Sequence, residues 1–270
     1  MSEIKFSVLM SLYNKELSKN LFQCLDSLNR QTLKADEVII VYDGLIDYEL
    51  DSQVLAFKDI LNIKIVKLSE NQGLGNALNH GLKYVSHNIV ARMDTDDICL
   101  AERFEKQLQV IQKFPDIDIL GSSVIEFDDE NNTSRTKNLP IDNLSIVKYA
   151  LFKNPINHMS VVFKKDKVEK IGGYKHHLFM EDYNLWLRGI KAGLVFANTD
   201  ENLLHVRVNS EMVKRRKGSK YIRSEFQLLK IKLSLKIYPI HKVLISFIIR
   251  TSTRFLPNFL LKKIYSMDRK

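Results

Sequence analysis

Short apolar runs and helix-period stripes alternate along the first hundred residues. Phe6-Ser7-Val8-Leu9-Met10 reads as a strand that ends at the turn-prone Asn14. Leu17, Leu21, Cys24, Leu25 and Leu28 recur at three or four residues, which predicts a helix over 17–30. Glu37-Val38-Ile39-Ile40-Val41 is β-branched and closes on Asp43-Gly44, a strand followed by a turn. Residues 63–66 predict another strand, residues 71–85 a glycine-containing loop that becomes a helix, and residues 87–91 a strand leading to the acidic group at 94–97. Strands that alternate with helices predict an α/β fold on a parallel sheet, with ligands bound outside the carboxyl ends of the strands. The loops at 13–14, 43–44, 71–73 and 94–97 all follow strand candidates and are expected to meet on one edge.

The second half is less regular. Residues 117–127 and 159–164 predict strands, 128–137 a polar loop and 181–193 a helix. Ile222, Phe226, Leu229, Leu233 and Ile237 predict a helix over 219–238, and a second apolar segment, 243–249, follows Pro239. The composition, 45% hydrophobic and 27% charged over 270 residues, is that of a globular protein with a sizeable core. Cys24 and Cys99 lie outside any metal-type spacing and read as two reduced thiols, a single disulfide being the other option. The opening residues lead straight into a strand, so no secretory leader is expected. No uncharged run of 18 apolar residues predicts a membrane-spanning helix.

Charge changes this picture at one end. Residues 213–270 hold 16 of the 41 Lys and Arg but only Glu225 and Asp268 of the 32 acids. The tail is therefore net +14, and residues 1–212 are net −5. An acidic body with a basic, apolar tail predicts contact with a polyanion or an anionic membrane. Arg250 and Arg254 interrupt the apolar run, which suits helices lying in a membrane interface. The tail can equally pack on the body or on another subunit. Nucleic acid is not expected, because no nucleic-acid motif or stacking platform is present.

The candidate chemistry begins with Asp94-Thr95-Asp96-Asp97. Three carboxylates in four residues repel one another unless a cation or basic groups neutralise them. Mg²⁺ or Mn²⁺ suits oxygen ligands and would bridge Asp96 to a diphosphate. The alternative is a helix start with Asp97 as its cap.

Five motifs in order resemble the inverting family-two glycosyltransferases. They are Ser7-Val8-Leu9-Met10-Ser11-Leu12-Tyr13-Asn14, Val38-Ile39-Ile40-Val41-Tyr42-Asp43-Gly44, Asn71-Gln72-Gly73-Leu74-Gly75-Asn76-Ala77-Leu78-Asn79, Ala91-Arg92-Met93-Asp94-Thr95-Asp96-Asp97 and Met180-Glu181-Asp182-Tyr183-Asn184-Leu185-Trp186. The chain departs from the common pattern at Ser11, where relatives often have proline, and at Tyr42, where they often have a second aspartate.

The resemblance implies a GT-A (Rossmann-like) α/β fold: a mixed, mainly parallel sheet flanked by helices. Residues 1–215 would form the catalytic domain, with a nucleotide-sugar half (1–97) and an acceptor half (98–215). Residues 216–270 would form a basic amphipathic, membrane-associating tail. It implies transfer of a hexose, from UDP-Glc or UDP-Gal, to a polyprenyl diphosphate-linked sugar at the inner face of the bacterial membrane, in surface polysaccharide synthesis. Leu12, Tyr13 and Asp43 would hold the base and ribose, and Asn14, Asn71, Gly73, Arg92, Asp94 and Thr95 would complete the nucleotide-sugar site. Asp96 would ligate Mn²⁺ or Mg²⁺ with Asp94, and His205 would be a third ligand or else a packed histidine. Asp182 would be the catalytic base, with Glu181 beside the acceptor. His158 would line the acceptor pocket or be a plain loop histidine, and Trp186 would be a sugar platform or core. Arg215 and Arg216 would clamp a diphosphate. The rivals are a non-catalytic membrane- or nucleic-acid-binding module and a sugar nucleotidyltransferase. The latter would want a glycine- and basic-rich triphosphate loop that 12–17 lacks.

Overall fold

The computed structural model describes residues 4–128, 133–208 and 218–255. Its first part is a run of parallel strand–helix units. β1 (Phe6–Leu12), β2 (Glu37–Tyr42), β3 (Ile63–Lys67) and β4 (Ile89–Arg92) are joined through α1 (Ser18–Asn29), α2 (Tyr48–Ala56) and α3 (Leu74–Leu82). β1 and β2 are buried on both faces apart from Ser11, as strands covered by helices on either side must be. β1 pairs in parallel with both β2 and β4, and β2 with β3, so the carboxyl ends of all four strands share one edge.

The second part extends this sheet with mixed pairing. β5 (Ile98–Cys99), β6 (Ile119–Asp128), β7 (Thr133–Lys137), β8 (Val162–Lys164) and β9 (Phe196–Arg207) give the order β3-β2-β1-β4-β8-β6-β9-β5, with β7 on β6. β8 is antiparallel to β4 and β6, whereas β9 is parallel to β6. Helices α4 (Arg103–Lys113), α5 (Asn143–Tyr149), α6 (Lys165–Lys170) and α7 (Glu181–Lys191) lie between these strands in sequence. Three readings shift. The polar stretch 128–137 contains β7, paired with β6 as a hairpin. The strand expected at 159–164 begins only at Val162, after a 3₁₀ turn over His158–Ser160. Asp97 caps no helix, because β5 follows it and α4 starts at Arg103.

Packing sets the distance of α3 from the sheet. A Cβ on Gly81 would meet Leu9 Cδ1 at 2.5 Å and Val41 Cγ2 at 2.7 Å, so only glycine lets this helix lie so close. Cys24 and Cys99 are free and buried. Beyond the body, α8 (Gly218–Leu235) and α9 (Ile240–Ser252) form a helical pair. Tyr221 and Leu228 of α8 pack with Ala150, Met180, Tyr183 and Leu187, so this part of the basic tail rests on the body beside α7. No helix among the described residues is long and apolar enough to cross a membrane.

Candidate active site

The shared strand edge carries the expected loops. The backbone N–H of Asp43 donates to Leu12 O (2.8 Å), so the ends of β1 and β2 are tied. Both Asp43 carboxylate oxygens accept backbone N–H groups from the next loop, Gln72 at 2.7 Å and Gly73 at 3.0 Å. Asn71 Nδ2 returns a bond to Asp43 O (3.2 Å). Gly44, at φ +93°, lets the loops touch, since a Cβ there would meet Asn71 N at 2.9 Å. Asn14 Oδ1 accepts from Asp47 N (2.7 Å) and ties the β1 loop to the start of α2. Asp43, Asn71, Gly73 and Asn14 thus form one braced platform, with the half-exposed Tyr13 ring beside it in sequence. Leu12 is corrected: its side chain is fully buried in the core, and only its carbonyl reaches this edge.

The acidic turn follows β4. Ligand oxygens of Asp94, Asp96 and Asp97 lie within 4.8 Å of one another. Arg92, 1% exposed, donates from Nη1 to Asp94 Oδ2 (2.8 Å) and from Nη2 to Asp94 Oδ1, a forked pair. Asp97 accepts Arg207 N on Oδ1 (2.9 Å), and its buried Oδ2 has no hydrogen-bond partner among the described residues. Burial, Asp94 and Glu16 push the Asp96 carboxyl up to about 7, and burial with Asp96 and Asp94 raises Asp97 well above the ordinary range. An all-oxygen group with excess negative charge and an unpartnered buried oxygen fits a hard divalent cation. Thr95 is buried and donates to Glu16 Oε2 (3.1 Å), a brace rather than an open contact. The structure does not bring His205 into the acidic group: it sits on β9 opposite Ile98, its ring 6.0 Å from that of Phe127, and burial lowers its pKa.

Glu181 and Asp182 open α7. Asn154 Nδ2 donates to Asp182 Oδ2 (2.5 Å), and Tyr183 N donates to Oδ1 (2.7 Å). Burial raises the Asp182 pKa against these bonds and the Arg92 charge. Burial, then Asp182, pushes Glu181 up to about 7, with Arg92 opposing and Asp94 adding. The Arg92 charge thus opposes the upward shift at Asp96 and Asp97 as it does at Glu181 and Asp182. The halves also touch directly. A Cβ on Gly75 would lie 3.4 Å from Glu181 Cβ and 3.5 Å from Tyr174 Cβ. Asn79 holds Tyr174 by its backbone in both directions, at 2.6 and 2.8 Å. The motif over 71–79 thus braces Asp43 with its first residues and receives the Tyr174–Glu181 side with Gly75 and Asn79.

Two acceptor-side readings are corrected. Trp186 is fully buried against Phe196 and His158, so it is core and no sugar platform. His158 is buried, with Nε2 2.8 Å from Tyr174 Oη, and burial and Arg92 hold its pKa well below the ordinary value. It supports Tyr174 as a neutral ring. Arg215 and Arg216 lie outside the described residues. Sequence reasoning missed Asn154, Glu16 and Arg207. Arg207 braces the acidic turn through its N–H to Asp97, Nε to Asp96 O (3.2 Å) and Nη2 to Gln23 (2.8 Å).

The family model described as Glycosyl transferase family 2 matches residues 7–173, which include the platform, the acidic turn and Asn154. The chain belongs to this family. Among its relatives, the amylovoran biosynthesis glycosyltransferase AmsE of Erwinia amylovora is 51% identical, over 98% of this chain and 99% of that protein. A UDP-Gal:alpha-D-GlcNAc-diphosphoundecaprenol beta-1,3-galactosyltransferase of Escherichia coli is 41% identical, over 83% of this chain and 81% of that one. The crystal structure of S. aureus TarS 1-349 in complex with UDP-GlcNAc superposes with a TM-score of 0.68 at 18% identity, over 92% of this chain and 72% of that one. The family's GT-A fold is therefore the fold of this chain.

Proposed function

We propose that this glycosyltransferase is an inverting enzyme of bacterial surface polysaccharide synthesis. It moves a hexose from a UDP-sugar, UDP-Gal or UDP-Glc, to a polyprenyl diphosphate-linked sugar. The single observation that carries the reading is the close approach of the two halves: Gly75, just after the loop that braces Asp43, lies against Glu181 at the start of α7, and the Arg92 charge acts on both Asp94 and Asp182. The names of the E. coli and E. amylovora relatives support the donor and acceptor classes and the polysaccharide role.

In this reading Asp96, Asp97 and Asp94 would hold Mn²⁺ or Mg²⁺, which supplies charge neutralisation for the departing diphosphate. The Asp43 platform and Tyr13 orient the nucleotide. Asp182 takes the acceptor hydroxyl's proton as that oxygen attacks the anomeric carbon, a contribution of roughly 10²–10⁴ in rate. Asn154 and Tyr183 N–H hold the carboxylate, leaving its remaining lone pairs for the hydroxyl. Glu181, with its raised pKa, borders the acceptor. Ile240, Leu244, Ile245, Ile248 and Ile249 of α9 are exposed, which supports a position on the membrane for a lipid-linked acceptor. Residues 1–215 form the catalytic unit in this reading, and 216–270 its membrane-facing extension.

Thermal melting of the protein with UDP-galactose, UDP-glucose and UDP, each with and without Mn²⁺, tests the donor site. The expected result is stabilisation by nucleotide only with the ion. Transfer onto a synthetic GlcNAc-diphosphate lipid, with the anomeric configuration of the product read by NMR, tests the reaction. Retention of configuration would overturn it.

A further inference from the structure

Carbonyls in the last turn of α5 and in the residues just past its end are met by side chains from elsewhere in the chain. Tyr238 Oη donates to Val147 O (2.6 Å), and Tyr183 Oη to Ala150 O (2.6 Å). Lys232 Nζ and Ser246 Oγ both donate to Leu151 O, each at 2.6 Å, and Arg250 Nη1 to Phe152 O (2.9 Å). A helix end leaves its last carbonyls without backbone partners, and cations suit its negative pole. Just past that end, at Leu151 and Phe152, the donors come from α8 and α9, some eighty to a hundred residues away in sequence.

The arrangement is costly. Lys232 is 3% exposed and Ser246 1%. Burying an ammonium carries a desolvation penalty that methionine at the same place would avoid. Arg250 is itself held by both oxygens of the buried Glu225, at 2.8 and 2.9 Å. What the arrangement secures is the segment 150–152, and two residues on lies Asn154, the donor to Asp182.

We propose that α8 and α9 form a positioning clamp for the catalytic base: Lys232, Ser246 and Arg250 fix the 151–152 backbone, which fixes Asn154, which fixes Asp182. The proposal rests on the reading of Asp182 as base. It makes the C-terminal helices part of the acceptor side of the active site, and it links a membrane-facing element to the proton-accepting group. Lys232, Ser246 and Arg250 are positioning residues, since none touches the reacting atoms.

The test uses the full chain with Lys232→Met, Ser246→Ala, Asn154→Ala, Asp182→Asn and the Lys232→Met/Asn154→Ala double variant. Donor site integrity is read by UDP affinity with Mn²⁺, and transfer by kcat and donor KM with UDP-galactose and the synthetic lipid. The Asn154 side-chain amide resonance reads the clamp without turnover. Lys232→Met should move that resonance and lower kcat about tenfold, because small misplacements of a reacting group cost up to about a hundredfold. Donor KM and UDP affinity should hold, and the loss should vanish in the Asn154→Ala background. Ser246→Ala, which removes no charge, should show the same pattern more weakly and carries the test if Lys232→Met fails to fold. An unmoved Asn154 resonance, or a Lys232→Met loss undiminished on top of Asn154→Ala, overturns the clamp. Full transfer by Asp182→Asn would instead sink the base assignment, with the resonance still reporting on the clamp.

Discussion

Arg92 grips both carboxylate oxygens of Asp94 from within the core, while Asp94 itself keeps partial contact with water. Burial disfavours a charged guanidinium, and here Asp94, with Tyr174 and Asp97, outweighs that cost. Arg92→Met should therefore lower unfolding stability by ~2 kcal/mol, less than the loss for a fully enclosed pair because Asp94 stays partly hydrated. It should also weaken UDP binding in Mn²⁺, as Asp94 loses its orientation. Urea unfolding and calorimetry check both, and a variant with unchanged stability and affinity would show that the pair holds nothing in place.

Much of this site was legible in the linear pattern, and its failures are of one kind. The meeting of the four loops after β1 to β4 is legible because strand and helix periods are local and topology then aligns the strand ends. The motifs point to Asp43, Asn71 and Gly73, but not to the aspartate's use of both oxygens on that loop. Leu12 and Trp186 sit in the motifs yet point into the core, because a motif records packing as well as chemistry. Asn154 lies in an irregular stretch 28 residues from Asp182, and Arg207 lies 110 residues from Asp97, so no period or spacing reveals either contact. The hairpin strand β7 was hidden by polar residues on an edge that only β6 covers.

The acidic turn sorts its own residues. Asp96→Ala should reduce UDP affinity in Mn²⁺ by about tenfold or more while leaving the ion-free affinity unchanged, since the residue acts through the cation. His205→Ala should leave both values unchanged, because its ring packs near Phe127 and it is not part of the carboxylate group. A large metal-dependent loss in His205→Ala would require a different ligand set.

The base assignment predicts a particular pH dependence. Asp182 must be ionised to accept a proton, and burial raises its pKa. Transfer should therefore fall, as pH is lowered, at a pH above the ordinary carboxylate range. Asn154 donates to the ionised form, so Asn154→Ala removes a bond that favours it and should move the acid limb still higher, with a loss of about tenfold at neutral pH. An acid limb that moves downward in Asn154→Ala would contradict the role given to that hydrogen bond.

Glu37 offers a stability prediction away from the cleft. Its buried carboxylate accepts from Ser7 Oγ, Lys64 Nζ and Ser86 N, each at 2.6 Å. Burial alone would raise its pKa, but the Lys64, Ser7 and Ser86 bonds outweigh it and bring the group to about 2 from 4.5. The folded value lies below the unfolded one, so this stabilisation is complete above about 4.5 and lost as pH falls to about 2. Glu37→Gln should cost ~2–3 kcal/mol at neutral pH, since a tenfold change in acidity corresponds to about 1.4 kcal/mol and Lys64 is partly hydrated. The variant should also flatten the acid side of the stability curve. Unfolding curves between pH 2 and about 7 measure this, and an equal loss at every pH would point to packing alone.

The outer face of α9 sets the last expectation. Ile240, Leu244, Ile245, Ile248 and Ile249 line one side of that helix at 43% to 67% exposure, while Val243 and Ser246 are buried on the other. Exposed Lys220, Arg223 and Lys230 lie on α8 and Lys242 on α9, with Lys236 in the link between them. An apolar ridge among cations fits the interface of an anionic bilayer, with each basic residue near the surface adding about 1 kcal/mol. The protein should sediment with phosphatidylglycerol vesicles and less with neutral ones, and salt should weaken the association. Ile245→Glu/Ile248→Glu should reduce it by about a hundredfold, since burying each side chain is worth about 1.5–3 kcal/mol. Because neither side chain enters the α5 clamp, UDP affinity in Mn²⁺ should be unchanged. Undiminished sedimentation of the double variant would mean that another surface meets the lipid.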